Sequence, residues 1–90
     1  MSKLTDEKLE MNARLFITGA KDEFKKFIPR DTVTDVDVSG CVASDGCYEI
    51  TGSVAATSPT GKLKTFGYAA CVNVDADGKC SLAKLQVDEL

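Results

Sequence analysis

The period of the apolar residues changes once along this chain, and the change constrains the fold more than any other feature. Over residues 5–28 the apolar residues recur at intervals of three and four, which places them on one stripe of a helix. We therefore predict one long helix over about residues 5–28, ended by Pro29, with Gly19 marking a bend or a close approach to the sheet. The predicted buried stripe consists of Leu9, Ala13, Phe16, Ile17, Ala20, Phe24, Phe27 and Ile28.

The rest of the chain alternates between apolar and polar residues, which is typical of strands. We predict strands over about residues 32–43, 47–57, 62–75 and 79–88. Short turns around Gly46, Gly61 and Gly78 separate them and leave no room for parallel crossovers. The prediction is a single α+β domain over residues 1–90, in which the long N-terminal helix packs on a curved four-stranded antiparallel meander of order 1-2-3-4.

The expected pairings across the turns decide which side chains face the helix. Pairing Ala43 with Cys47, and Val74 with Lys79, directs the apolar residues of all four strands to one face. The opposite, outer face then carries a transverse row of the four cysteines, Cys41, Cys47, Cys71 and Cys80.

A long helix held by a curved antiparallel meander resembles the cystatin-like fold, and the resemblance covers essentially the whole chain. Proteinase-inhibiting cystatins have a Gln-x-Val-x-Gly first hairpin and a Trp-bearing last hairpin. Here the first hairpin reads Cys41-Val42-Ala43-Ser44-Asp45-Gly46, the last reads Asp75-Ala76-Asp77-Gly78, and Trp is absent. The resemblance therefore implies the layout, and proteinase inhibition is an alternative that rests on fold analogy.

The cysteine row has three interpretations. A single zinc would need four sulfurs at about 2.3 Å from one ion, whereas four neighbouring strands span about 14 Å. Disulfides Cys41–Cys47 and Cys71–Cys80 would join diagonal neighbours, and secreted cystatins bridge their last two strands. The third interpretation treats the cysteines as reduced, small apolar residues of a covered face.

The centre of the predicted outer face is small and neutral, with Glu49 as its one charge. A solvent-exposed sheet face normally carries clearly charged residues. Because this face does not, we expect another surface to pack there. A second copy of the chain is the simplest candidate, because two-fold homodimers predominate among oligomers. The predicted interface comprises Cys47, Glu49, Thr51, Ser53, Thr65, Ala69, Cys71 and Leu82.

Composition argues against several other classes of function. The net charge of −3 argues against a nucleic-acid partner, and the chain contains no His, the commonest general base and metal ligand. Residues 73–78 match half of a calcium loop, but Lys84 stands where the loop needs Glu. We expect no cofactor, no membrane partner and a cytoplasmic location.

These observations predict a small, non-catalytic binding or assembly module that dimerises through its outer sheet face. One alternative is a thiol-redox or zinc-binding protein that uses the cysteine row. Another is a small-ligand site or weak enzyme around Glu49, and an unidentified protein or small-ligand partner remains open.

Overall fold

The computed structural model describes residues 6–44 and 47–89. Its elements are α1 (Asp6–Thr18), α2 (Lys21–Lys25), β1 (Thr32–Ser44), β2 (Cys47–Thr57), β3 (Leu63–Val74) and β4 (Cys80–Glu89). The strands form an antiparallel sheet in the order β1-β2-β3-β4. This confirms the α+β class and the meander, a layout compatible with the cystatin-like resemblance. Thr5, the predicted first helical residue, and the turn residues Asp45 and Gly46 lie outside the described residues.

The prediction of one long helix was wrong, because the helix is interrupted at Gly19 and Ala20. The first helix has 13 residues and the second has 5. The N–H of Gly19 still donates to the carbonyl of Leu15 over 3.1 Å, whereas the N–H of Ala20 donates to Ile17, only three residues back. Ala20 leaves helical geometry with a ψ of 42°. A mid-helix glycine costs about 1 kcal/mol relative to alanine, and here the expected bend is a complete break.

The interruption changes part of the predicted buried stripe. Ala13, Ile17 and Phe24 are fully buried. Phe27 is 49% exposed, contrary to the prediction, because α2 ends at Lys25 and the helical period does not reach it. The remaining predicted members are half-buried: Leu9, Phe16, Ala20 and Ile28.

The core lies between the helices and one face of the sheet. As predicted, the even-numbered residues of β2 and β3 supply most of the buried side chains: Ile50, Val54, Ala56, Phe66, Tyr68, Ala70 and Val72. β2 and β3 pair in one uninterrupted register from Cys47–Asn73 to Thr57–Leu63. The odd-numbered residues of these two strands therefore lie on the opposite face, which we call the outer face.

Gly52 provides the space for the central contact of this core. Gly52 pairs with Tyr68 on β3, and the Tyr68 hydroxyl donates a 2.8 Å hydrogen bond to the backbone carbonyl of Asp37 on β1. A Cβ on Gly52 would overlap that carbonyl and lie 2.8 Å from the Tyr68 hydroxyl. Phe24 of α2 packs against the Tyr68 ring at 4.9 Å between centroids, in an edge-to-face arrangement. One tyrosine thus connects α2, β1 and β3.

Two β-bulges in β1 correct the predicted register of the first hairpin. Ser44, not Ala43, pairs with Cys47, so the prediction is wrong by one residue near the turn. The register shifts between Val38 and Gly40, which leaves Ser39 as the extra residue, and shifts again between Val33 and Asp35. Between the turn and the first bulge, the two faces of β1 are therefore exchanged relative to the prediction.

A bulge in β4 has the same effect on the last hairpin. Val74 pairs with Cys80, not with Lys79, and the register shifts at Ala83 before Lys84 pairs with Cys71. Leu82, which pairs with the buried Val72, therefore packs on the core and not on the predicted interface. Beyond the bulge the predicted faces are correct: Leu85 and Val87 pack on the core.

The turn between β3 and β4 is held by its first residue. The Asp75 carboxylate accepts hydrogen bonds of 2.9 Å from the backbone N–H groups of Asp77 and Lys79. Gly78 adopts a φ of 86°, a conformation that glycine takes without strain. Asn12 of α1 donates to the carbonyl of Gly78 over 3.2 Å and fixes the turn to the helix. A tight turn thus accounts for the acidic residues that resembled half of a calcium loop.

Replacing Gly52 tests the central contact. Gly52→Ala should lower the free energy of unfolding by about 2–4 kcal/mol, because overpacking costs about 1–3 kcal/mol and a lost buried hydrogen bond adds about 1 kcal/mol. Gly40→Ala is the matched control, since its Cβ would meet only the movable Thr51 hydroxyl, at 3.2 Å. Urea titration of both variants measures the difference. Equal stability of the two variants would contradict the assigned role of Gly52.

The ionisation of Tyr68 predicts a loss of stability at high pH. Burial, reinforced by the nearby Asp37 carboxylate and Cys41, raises the pKa of Tyr68 from 10.0 to about 12. The folded state therefore favours the neutral phenol, and this stabilisation is complete below pH 10 and lost as the pH rises towards 12. Its size is on the order of 2 kcal/mol.

Urea titrations of the wild type and Tyr68→Phe, repeated between about pH 9 and pH 12, isolate this effect. The stability difference between the two proteins should shrink as the pH rises, because only the wild type carries the phenol. A difference that stays constant with pH would contradict the prediction.

Candidate functional site: the outer sheet face

The outer face brings together most of the residues predicted to form an interface. Glu49 pairs with Cys71, Thr51 pairs with Ala69, and Ser53 pairs with Gly67. Seven of the eight predicted residues lie on this face, and Leu82 is the exception. Glu49, Thr51, Thr65 and Ala69 are exposed, and Cys47, Ser53 and Cys71 are half-buried. The centre of the face is thus small, largely neutral and uncovered in the single chain.

Transverse rows across the four strands set the charge pattern of the outer face. One row runs Val42, Glu49, Cys71, Lys84, and the next runs Gly40, Thr51, Ala69, Gln86. The third row runs Asp37, Ser53, Gly67, Asp88. Along β4 a cation at Lys84 and an anion at Asp88 therefore lie on opposite sides of the row that contains Ala69.

The outer face also carries two large apolar residues that the predicted interface lacked. Val42 is 62% exposed opposite Glu49, and Leu63 is 72% exposed opposite Thr57 at the other end of the face. Val42 was expected on the core side, and the bulge at Ser39 turns it outward. The sequence gives no signal for that bulge, because Val36, Val38 and Val42 keep the two-residue interval of a regular strand.

The predicted row of four cysteines is divided between the two faces of the sheet. Cys41 pairs with Ile50 and Cys80 pairs with Val74, and both cysteines pack on the core. Cys47 and Cys71 lie on the outer face, as predicted. The bulges in the edge strands cause the division, because each bulge exchanges the faces of the residues between it and the turn.

The division also rules out the pairs considered for disulfides. Cys41–Cys47 and Cys71–Cys80 each combine a core-side residue with an outer-face residue, so neither pair meets. The structure instead places Cys47 beside Cys71, with 2.7 Å between their Sγ atoms. None of the four cysteines forms a disulfide. The sequence did not single out this pair, which is diagonal across the uninterrupted β2–β3 register.

The two core-side thiols are in environments that disfavour their ionised form. Burial, followed by the charge of Glu10, raises the pKa of Cys41, and Arg14 partly offsets the increase. Burial and then Asp75 raise the pKa of Cys80, whose Sγ lies 3.7 Å from the carbonyl of Gly78. Since the thiolate is the reactive form, the raised pKa of Cys41 and of Cys80 lowers the reactive fraction of each thiol.

Metal binding was considered for the cysteine row. In the part of the chain that the structure describes, no group of three or more His, Cys, Asp or Glu side chains could hold a metal ion. A tetrahedral structural zinc site needs four ligands around one ion, and two cysteines on each face of the sheet do not provide them.

The outer face has a depression of about 270 Å³ around Glu49 and Cys71, bordered by Thr51, Lys84 and Gln86. Small-molecule sites usually have volumes of about 300–1,000 Å³, so this depression is small for a ligand.

A second cavity, of about 360 Å³, lies away from the outer face, where the chain leaves α2. Ile28, Pro29 and Phe66 form its apolar wall. The Lys64 ammonium lies 3.9 Å from a carboxylate oxygen of Asp31, which is 6% exposed. These two opposite charges form an ion pair with each other at the cavity wall.

Comparisons with known proteins do not assign a family or a function to this chain. No family model matches the sequence, and no curated protein and no solved structure matches it. Within residues 6–44 and 47–89, no helix has the length and apolar character that crossing a membrane requires.

Proposed function

We propose that this protein is a small, non-catalytic assembly module, cystatin-like in layout, that forms a two-fold homodimer through its outer sheet face. One observation carries the proposal: the centre of this face is uncovered in the single chain and consists mostly of short neutral side chains, with Glu49 as its one charge, and the apolar Val42 and Leu63 lie towards its two ends. Sheet faces that contact water usually carry charged residues, whereas sheet faces that pack on one another carry small and apolar side chains.

The size of the outer face supports the same proposal. Four strands spaced about 4.8 Å apart and about ten residues long together form a face of about 600 Å². Two such faces would bury about 1,200 Å², which is at the lower limit of specific protein–protein interfaces. This area is therefore sufficient for a specific homodimer at the lower end of the usual size range.

The edge strands of the sheet favour association of two copies through their sheet faces over association through their sheet edges. β1 has two bulges and carries Asp35 and Asp37, and β4 has one bulge and ends with Asp88 and Glu89. Bulges and charges on edge strands prevent another strand from extending the sheet. The outer face then remains as a surface for association.

The charges on β4 select one orientation of the dimer. A two-fold axis that crosses the strands at the level of Ala69 and Gln86 would place each Lys84 over Asp88 of the second copy. Lys84 pairs with Cys71 in the row on one side of the axis, and Asp88 pairs with Gly67 in the row on the other. The two ion pairs would lie at the rim, where they fix orientation more than affinity.

A small-ligand site around Glu49 is the second candidate, because Glu49 and Lys84 border the depression of about 270 Å³. The two candidates exclude one another, since a dimer of this kind covers the depression. The proposed compartment is the cytoplasm, where protein cysteines are normally kept reduced.

Introducing a charge at the centre of the face tests the dimer. The wild type should sediment at about twice its chain mass of 9.6 kDa. Ala69→Glu should weaken association at least about 100-fold, because an uncompensated buried charge costs about 3–5 kcal/mol. Ala76→Glu, the same change in the exposed β3–β4 turn, is the control and should not affect association. A wild-type monomer at all concentrations, or an unchanged Ala69→Glu dimer, would contradict the proposal.

Charge reversal tests the orientation. Lys84→Glu and Asp88→Lys should each weaken the dimer about tenfold, because each places like charges together at two symmetric sites, worth about 0.2–1 kcal/mol apiece for exposed pairs. The double variant should regain wild-type affinity, and the differences should shrink in high salt. Sedimentation equilibrium at low and high ionic strength measures both effects. Additive losses in the double variant would rule out this axis but not the face.

A further inference from the structure

We propose that Cys47 and Cys71 form a reversible disulfide across β2 and β3, which makes this end of the outer face a thiol–disulfide exchange site for small disulfides of the glutathione type. The inference does not depend on the homodimer. It rests on the position of the two thiols in the single chain.

The two sulfurs are already close enough to react. Their Sγ atoms are 2.7 Å apart, well inside the distance of about 3.5–4.0 Å at which non-bonded heavy atoms pack best. A disulfide bond is about 2.04 Å long, so the sulfurs need to approach by less than 1 Å. Diagonal neighbours in a sheet are usually too far apart for this, but the twist of paired strands brings one set of diagonals together.

The position of the pair also suits a reaction with a small molecule. Both residues are half-buried on the face that the helices leave uncovered, and Cys71 borders the depression next to Glu49 and Lys84. The uninterrupted β2–β3 register holds the two backbones in place before and after the reaction. Cys41 and Cys80 do not compete, because they pack on the core and burial raises the pKa of each.

The exchange balances in two steps. The thiolate of one cysteine attacks a sulfur of the small disulfide, forms a mixed disulfide and expels one small thiolate. The thiolate of the other cysteine then attacks the protein sulfur of that mixed disulfide, forms the Cys47–Cys71 bond and expels the second small thiolate. Two protein thiols are oxidised, one small disulfide is reduced to two thiols, and the two protons pass from the protein to the expelled groups. Excess small thiol reverses both steps.

Because the second thiol lies beside the first, the second step should be faster than the first. The mixed disulfide should therefore not accumulate. The bond would close a loop across two strands that are already paired, so the sheet should survive oxidation. The oxidised protein should therefore keep its far-ultraviolet circular dichroism and unfold at a higher urea concentration than the reduced protein, since a cross-link restricts the unfolded chain.

The test uses the 90-residue chain with oxidised glutathione as the probe. Thiol titration of the unfolded protein should fall from the four cysteines of the sequence to two, with a mass decrease of about 2 Da and no glutathione adduct. Cleavage after acidic residues separates all four cysteines, because Asp45 lies between Cys41 and Cys47, Glu49 lies between Cys47 and Cys71, and Asp75 lies between Cys71 and Cys80. The linked fragments should be those that contain Cys47 and Cys71.

Two variants make the assignment specific. The double variant Cys41→Ala/Cys80→Ala keeps the proposed pair and should oxidise like the wild type. Cys71→Ser should instead stop at a glutathione adduct on Cys47. Four remaining thiols, a stable adduct on the wild type, or a bond between any other two cysteines would overturn the proposal. Should the double variant fold poorly, the fragment map of the wild type still decides.

The same reaction on Ala69→Glu separates this inference from the dimer. If the outer face is covered in the wild type, Ala69→Glu should oxidise faster, and the wild-type rate should fall as the protein concentration rises. If the wild type is a monomer, its rate should not depend on the protein concentration. The bond forms between the same two cysteines in either case, and its absence from both proteins would refute the pair.

Discussion

The contact across Gly52 is the constraint on which the rest of the structure depends. Because Gly52 lacks a side chain, the Tyr68 ring passes over β2 and its hydroxyl reaches the Asp37 carbonyl on β1. Phe24 packs against the Tyr68 ring from the helix side. The short helix α2 buries only this phenylalanine. Its position therefore depends on the tyrosine, and the tyrosine depends on the glycine. A chain of 90 residues has a small core, so one well-packed contact carries a large share of its specificity.

The same contact explains why the irregularities of the sheet lie at its edges. β2 and β3 pair without interruption around Gly52 and Tyr68, and all three register shifts involve an edge strand. A shift in the central pair would move Tyr68 off Gly52 and turn every following side chain to the other face. In β1 and β4 a shift affects one neighbour only, and it moves Cys41, Cys80 and Leu82 to the core side. The bulges also bend the two edges that could otherwise extend the sheet.

The sequence was sufficient for the parts of the fold that depend on periodicity, and insufficient where one residue interrupts the period. Alternation gave the strand order and both faces of β2 and β3, and with them the outer position of Glu49, Ala69 and Cys71. It missed the break at Gly19, since a glycine that bends a helix and one that ends it look alike in sequence. It also missed the bulges, because Val36, Val38 and Val42 in β1, and Ala83, Leu85 and Val87 in β4, keep the two-residue interval of a regular strand. The pairing of Cys47 with Cys71 depends on a diagonal across twisted strands, which no residue pattern encodes.

The position of the thiol pair and the proposed dimer constrain one another. A disulfide-forming pair on a permanently exposed face would react whenever an oxidant is present, whereas a pair under a dimer would react only in the fraction of chains that is dissociated. An interface of about 1,200 Å² is at the lower limit for specific association, so that fraction would be appreciable at low concentration. The bond between Cys47 and Cys71 would replace two adjacent thiols by one rigid link next to Glu49, within the surface that the second copy must contact. The disulfide and the dimer therefore involve the same face. Formation of the disulfide should lower the fraction of dimer, and formation of the dimer should lower the fraction of disulfide, to an extent that depends on how much of the face the dimer covers.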